Sequence, residues 1–313
     1  MSIKHIIELQ DLLDDPAVNG QRVAEYLRGY GAEDIKVTTL TGEKGSTDFI
    51  RIVIPGTQGK TLGGHYPTLG VVGRLGGLGA RPERIGFTSD GDGALAALAV
   101  AAKLAQMRAR GDAIKGDVII TTHICPHAPT RPHEPVPFMD SPVSSQKCNT
   151  VEVDEAMDAI LCLDTTKGNR IVNVNGIAIT PTVKEGYILR TSEPLLSIME
   201  IATGKLPVVL PLTQQDITPY GNGIYHLNSI LQPSVATHVA CVGVAITTQT
   251  QVPGCATGAT HLCDIDDCVR FVIEAAKVYE ADQSLFYDVE EYERLTALYG
   301  SLKHFQTNGG GLS

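Results

Sequence analysis

Two hydrophobic rhythms alternate along this chain. Ile3, Ile6, Ile7, Leu12 and Leu13 keep near-helical spacing until Asp15-Pro16 interrupts it. A second amphipathic run after Gly20 places Val23, Tyr26, Leu27 and Tyr30 on one face, with Gly31 as its stop. Short β-rich runs follow at 36–40 and 49–55, then a glycine-rich stretch over 56–83. Continuous apolar segments predict buried strands at 68–75, 117–122, 159–164 and 238–247, and a further strand or extended segment at 84–90. Helices are predicted at 93–110, where alanine raises helix propensity and permits close packing, and at 193–204, 264–281 and 287–302. Residues 176–189 read as extended, 123–149 as a long proline-rich loop, and 306–313 as a loose tail. Strands alternating with helices predict a single α/β domain over 1–313, three-layered (αβα), with a mostly parallel central sheet.

Composition narrows the function. The net charge is −10 and Lys and Arg are scattered, so a phosphate backbone is not an expected partner. No apolar run approaches the roughly 18 residues of a membrane span. Seven cysteines, an odd number in a chain of 313 residues, and an acidic N-terminal stretch predict reduced thiols and a cytoplasmic protein. Trp is absent, which disfavours base stacking or an aromatic cage.

Sites in open parallel sheets form beyond the carboxyl ends of the strands. Three predicted strands end in residues able to bind a metal: at Asp90, at His123 with His127 close behind, and at Asp164. If the strands are neighbours, these oxygen and imidazole groups converge as zinc-like or manganese-like ligands. Each also has a structural reading. Asp90 can form a turn between Ser89 and Gly91, and Asp164 an Asx-turn with Thr165 and Thr166. Asp92 reads first as the N-cap of the alanine-rich helix. His123 and His127 would share a face only on a helix, which Pro126 argues against. The set Cys255, His261, Cys263 and Cys268 matches no common zinc knuckle. Arg74–Gly79 is rich in glycine but lacks the GK[ST] ending of a phosphate loop. The proline-rich loop, with His127, Arg131, His133 and Glu134, reads as a lid or as an ordered surface loop.

The order of these parts resembles the co-catalytic zinc aminopeptidases and carboxypeptidases over about residues 5–280. The resemblance is carried by LLDDPAVNGQRVAEYLRGYGAEDIKV, PTLGVVGRLGGLG, TSDGDGALAALAVAAKLAQ, GDVIITTHICPHA, AILCLDTT and VATHVACVGVAITTQ with LCDIDDCVRFVIEAAK. It implies a phosphorylase/hydrolase-like fold, in a bacterial branch of unknown function. It also implies that Asp90 takes the place of the bridging aspartate and Asp164 that of the second metal's aspartate. The His-x-Asp position reads Arg74-Leu75-Gly76; aligning His65-Tyr66-Pro67 there keeps only the His. The paired Glu falls near Cys125-Pro126, and the last family His near Thr257-Gly258.

Three functions compete on this reading. The first is a divergent metal-dependent hydrolase of an amide in a small peptide-like molecule. It would hold a divalent metal, with Zn the leading choice, through Asp90, His123, Asp164 and His65. His123 or His127 would act as base, and Arg74 and His133 would contact substrate. The second is a non-catalytic descendant that binds a small ligand or serves as an assembly subunit; the resemblance is compatible with a homo-oligomer. The third is thiol chemistry at Cys125 between the two histidines.

Overall fold

The computed structural model describes residues 2–251, 254–279 and 283–309. Two N-terminal helices, α1 (Ile3–Asp14) and α2 (Gly20–Arg28), lead into an antiparallel hairpin of β1 (Asp34–Gly42) and β2 (Gly45–Ile54). Then come β3 (Leu69–Gly73), α3 (Asp92–Ala109), β4 (Val118–Ile124), a small hairpin of β5 (Thr130–Arg131) and β6 (Phe138–Met139), α4 (Ser145–Glu152) and β7 (Ala159–Thr165). The chain continues through β8 (Gly176–Ile179), β9 (Val183–Lys184), β10 (Tyr187–Ile188), α5 (Glu193–Thr203), β11 (Ala240–Thr247), α6 (Leu262–Val278) and α7 (Val289–Tyr299).

Nine strands form one mixed sheet in the order β1-β2-β4-β3-β7-β11-β9-β10, with β8 also paired to β11. Its centre, β4-β3-β7-β11, is parallel, and antiparallel strands close both sides. The continuous apolar runs therefore lie where predicted, buried on both faces. The alternation of side chains divides the sheet. Val71, Ile120, Leu161, Leu163 and Val244 face the larger core, built with α1, α2, α3, α5 and α6. Val72, Ile119, Cys162 and Ala245 face the other side, covered by irregular segments and α4.

Helix α3 is buried on nearly every side, because its alanines let it lie between the sheet, α1 and α6. At Gly93 a Cβ would come within 2.5 Å of the Leu163 carbonyl oxygen and 2.6 Å of that of Arg74. The start of the helix thus rests directly on the carboxyl ends of β3 and β7.

Several expectations change. Residues 84–90 form no strand: Thr88 N bonds the Leu78 carbonyl, Asp90 N bonds that of Cys255, and Ser89–Gly91 is a 3₁₀ turn. The predicted proline-rich loop contains the β5–β6 hairpin and the first part of α4, whose start is capped by Ser144 Oγ accepting from Lys147 N. In the tail, Gln306 donates to the Ser234 and Thr237 carbonyls. The predicted helix end at Ala281 and tail residues 310–313 lie outside the described residues. No helix among the described residues is long and apolar enough to cross a membrane.

Candidate functional site

The period of two places His123, Arg74 and Asp164 on the same face of three adjacent strands, at or just past their carboxyl ends. This is the α4 side of the sheet, where Thr121 Oγ1 bonds the Glu152 carbonyl.

Arg74 donates from Nη1 to Glu152 Oε2 at 2.5 Å and to Asn149 Oδ1 at 3.4 Å. Both members of the ion pair are buried. Burial opposes the guanidinium's charge, but Glu152 and nearby acidic groups, Asp164 among them, raise its pKa further. Asp164 accepts from Thr165 N through Oδ1 and from Ser229 Oγ through Oδ2, both at 2.8 Å. Burial, then the charge of Asp90, push its pKa up to about 7 against the pull of Ser229, Arg74 and Thr165. The two aspartates are therefore within electrostatic reach of one another.

Asp90 reaches the cluster from the turn before α3. Its Oδ2 accepts from Gly76 N at 2.6 Å and Gly77 N at 2.8 Å. The glycine-rich segment thus turns two of its amides onto a carboxyl group of the chain itself. Burial raises the Asp90 pKa, while those amides and the Cys255 thiol pull it down.

Asp92 caps nothing; it is the first helical residue of α3, and Gly91 precedes it. Its carboxylate is fully buried, paired with Lys167 Nζ at 2.6 Å and accepting from Thr260 Oγ1 at 2.7 Å. Burial outweighs Lys167 and sets its pKa at about 6.

A long segment after α5 closes over Asp164. Asp216 anchors it by accepting from Thr213 N and Oγ1, Leu227 N and Asn228 N. Ser229 follows directly, and Tyr220, its hydroxyl pushed up to about 12 by burial and then by Asp164, lies beside it. Gln232 ties the segment to α4: its Oε1 accepts from Tyr220 N and its carbonyl from Asn149 Nδ2.

Of the predicted histidines, His123 borders this cluster, within electrostatic reach of Glu152 and Arg74, and the others bond elsewhere or lie apart. His123 is buried, stacks on Phe49, and has Nδ1 on Thr47 Oγ1 at 3.1 Å and Nε2 on the Leu75 carbonyl at 3.0 Å. Burial lowers its pKa. His127 Nε2 lies 2.8 Å from the Pro16 carbonyl, and exposed His133 Nδ1 bonds the Val136 carbonyl. His65 is exposed and precedes β3, at the opposite end of the sheet. Cys125 is buried and its thiol is pushed up to about 11, so it lacks the depressed pKa of a nucleophile. Cys268 is buried on α6 while Cys263 is exposed, which separates that cysteine set.

A divalent metal, which the resemblance implies, does not fit this donor set. Asp90, Asp164 and both nitrogens of His123 already have partners within the chain, and two fixed cations share the cluster. Among the described residues no group of three or more His, Cys, Asp or Glu side chains is arranged to hold an ion. A cavity of about 580 Å³ is lined by Gln214, Thr218, Ile224, His304 and Phe305, and by none of the carboxylates of the cluster.

Sequence reasoning missed Glu152, Lys167, Ser229 and Tyr220. Lys167, three residues past the strand-end Asp164, carried the one available signal.

The fold is that of an aminopeptidase-like α/β domain, and at its strand ends lies a buried cluster in which Arg74 pairs with Glu152 and Lys167 with Asp92. A mutant of tomato leucine aminopeptidase superposes with a TM-score of 0.53 at 13% identity, over 87% of this chain and 61% of that one. Bottromycin maturation enzyme BotP gives 0.51 at 14% identity, over 88% and 70%. The chain thus spans less than two thirds of the tomato enzyme's length, and such identities establish the fold alone. The chain belongs to the DUF1177 family, described as "Protein of unknown function (DUF1177)", whose profile matches residues 38–309. No curated protein matches the chain.

Proposed function

We propose that the chain binds a small peptide-like molecule at the carboxyl edge of its parallel strands, and that it does so without a metal. One observation carries this reading: protein cations already pair with two buried carboxylates there, Arg74 with Glu152 and Lys167 with Asp92. In a metal-dependent hydrolase a bound ion activates water and polarises the substrate. Here Arg74 and Glu152 occupy each other, and His123 has no free nitrogen with which to act as base. The peptide-like class is supported by the aminopeptidase fold and by a cluster that combines acidic and basic groups. This favours the non-catalytic descendant over the hydrolase.

The test is elemental analysis of the purified protein, with a thermal-shift screen of short peptides and amides. Zinc and manganese are expected well below one ion per chain. At least one ligand is expected to raise the melting temperature, with the rise lost in Asp164→Asn. Stoichiometric metal, or peptide turnover abolished by Asp90→Asn, would restore the hydrolase.

A further inference from the structure

We propose that the cavity of about 580 Å³ between the segment covering Asp164 and the C-terminal segment is a second binding site. It would take an uncharged small molecule with apolar groups and a cis-amide edge, a cyclic dipeptide being the simplest case. The inference goes beyond the strand-edge site above and does not depend on it.

Both walls are held by bonds that leave several lining side chains available. On one wall, Asn222 Nδ2 donates to Thr218 Oγ1 at 2.9 Å, Ile224 N donates to Asn222 Oδ1 at 3.0 Å, and Gln232 Nε2 donates to the Thr218 carbonyl at 2.8 Å. On the other, Gln306 fixes the C-terminal segment, and Thr307 Oγ1 donates to the His304 carbonyl at 2.8 Å. The Gln214, Gln215 and Asn308 carboxamides line the same space, and none of them bonds a described residue. The site is thus shaped before any ligand arrives. Its volume falls within the usual range for small-molecule pockets, roughly 300–1,000 Å³. Apart from the His304 imidazole, no ionisable side chain among the described residues lines it. A charged group would be desolvated there without a counter-charge, so an uncharged molecule fits best. A carboxamide presents a donor and an acceptor side by side. A cis amide in a ring presents the matching acceptor and donor on one edge, whereas the trans amide of a linear peptide points them in opposite directions. Ile224 and Phe305 supply the apolar contact, and Ile224 stays exposed although its backbone is pinned.

Isothermal titration calorimetry of the full chain with cyclo(Leu-Phe), and with linear Leu-Phe as its zwitterionic counterpart, tests this. The cyclic molecule is expected to bind at about one per chain, and the linear one at least tenfold more weakly. Gln214→Glu/Gln215→Glu keeps the side-chain shapes but removes their donors and adds charge at two exposed positions. That variant should bind the cyclic molecule at least tenfold more weakly. Should it fail to fold, Ile224→Ala at the exposed rim is expected to weaken binding severalfold. Asp164→Asn should bind the cyclic molecule as wild type does, because Asp164 does not line the cavity. No binding of cyclo(Leu-Phe), equal affinity for the linear form, or wild-type affinity in the folded glutamine variant overturns the inference and leaves the strand-edge reading standing. Binding lost in Asp164→Asn would place the ligand at the strand edge instead and overturn it as well.

Discussion

Glu152 is buried to 1% exposure against Arg74, and an unpaired charge at that depth is costly. Its stability therefore depends on a residue 78 positions earlier in the chain. Arg74→Met should lower unfolding free energy by about 3–5 kcal/mol, the usual effect of breaking a buried pair from one side. Arg74→Met/Glu152→Gln should recover most of that loss, since no uncompensated charge is left. Denaturant unfolding of both variants measures the difference; equal losses would mean that packing, not charge, explains the pair. Position 74 was legible as a polar residue closing an apolar strand. Its partner was not, because periodicity reports which face a residue takes and says nothing about which distant segment covers that face. The same limit hid Ser229, whose contact with Asp164 spans 65 positions.

The elements themselves were more readable than their partners. Parallel strands buried on both faces must be written as unbroken apolar runs, so β3, β4, β7 and β11 stood out, as did the alanine-rich α3. Short or polar elements carry weaker patterns. Helix α4 was absorbed into a proline-rich loop, and 84–90 suggested a strand although its backbone bonds run to Leu78, Cys255 and Thr257. The segment covering Asp164 lacks any periodicity; its shape depends on Asp216, which accepts four bonds from residues 213, 227 and 228. Asp216→Ala leaves those donors without their acceptor, at roughly 1–3 kcal/mol for each that stays buried and unpaired. The expected result is a lower melting temperature and faster hydrogen exchange at Leu227 and Asn228, with exchange in β3 and β7 unchanged. Unchanged exchange at 227 and 228 would show that Asp216 does not hold the segment.

At the scale of the whole molecule, the buried acids give stability an unusual dependence on pH. An aspartate in an unfolded chain titrates near pH ~3.9. In the folded chain Asp92 titrates at about 6 and Asp164 at about 7, and Asp90 is raised as well. Between those limits the folded state binds more protons than the unfolded state. The stability these groups contribute is complete below the unfolded value and is lost as pH rises through the folded ones. His5 and His123 act in the opposite sense, because burial lowers their pKa values; their contribution is present above the unfolded value of about 6.5 and lost on acidification. The carboxylates whose pKa values are lowered, Asp154 and Glu185 among them, weaken the fold only at lower pH still. Between pH 6 and pH 7.5 the unfolded histidines are still losing their protons, so their gain with rising pH opposes the loss from Asp164 and Asp92. Measured against an Asp164→Asn variant, in which the histidines cancel, the unfolding free energy of the wild type should fall between pH 6 and pH 7.5 by about 1 kcal/mol, at up to roughly 1.4 kcal/mol per pH unit for one proton. Asp164→Asn deletes the steepest acidic contributor and should therefore gain stability over the wild type at pH 7.5 more than at pH 6. Denaturant unfolding of wild type and variant at both values checks this. The same pH dependence in wild type and Asp164→Asn would mean that Asp164 is already ionised in the folded chain at pH 6, held there by a stronger cation than Arg74 alone provides.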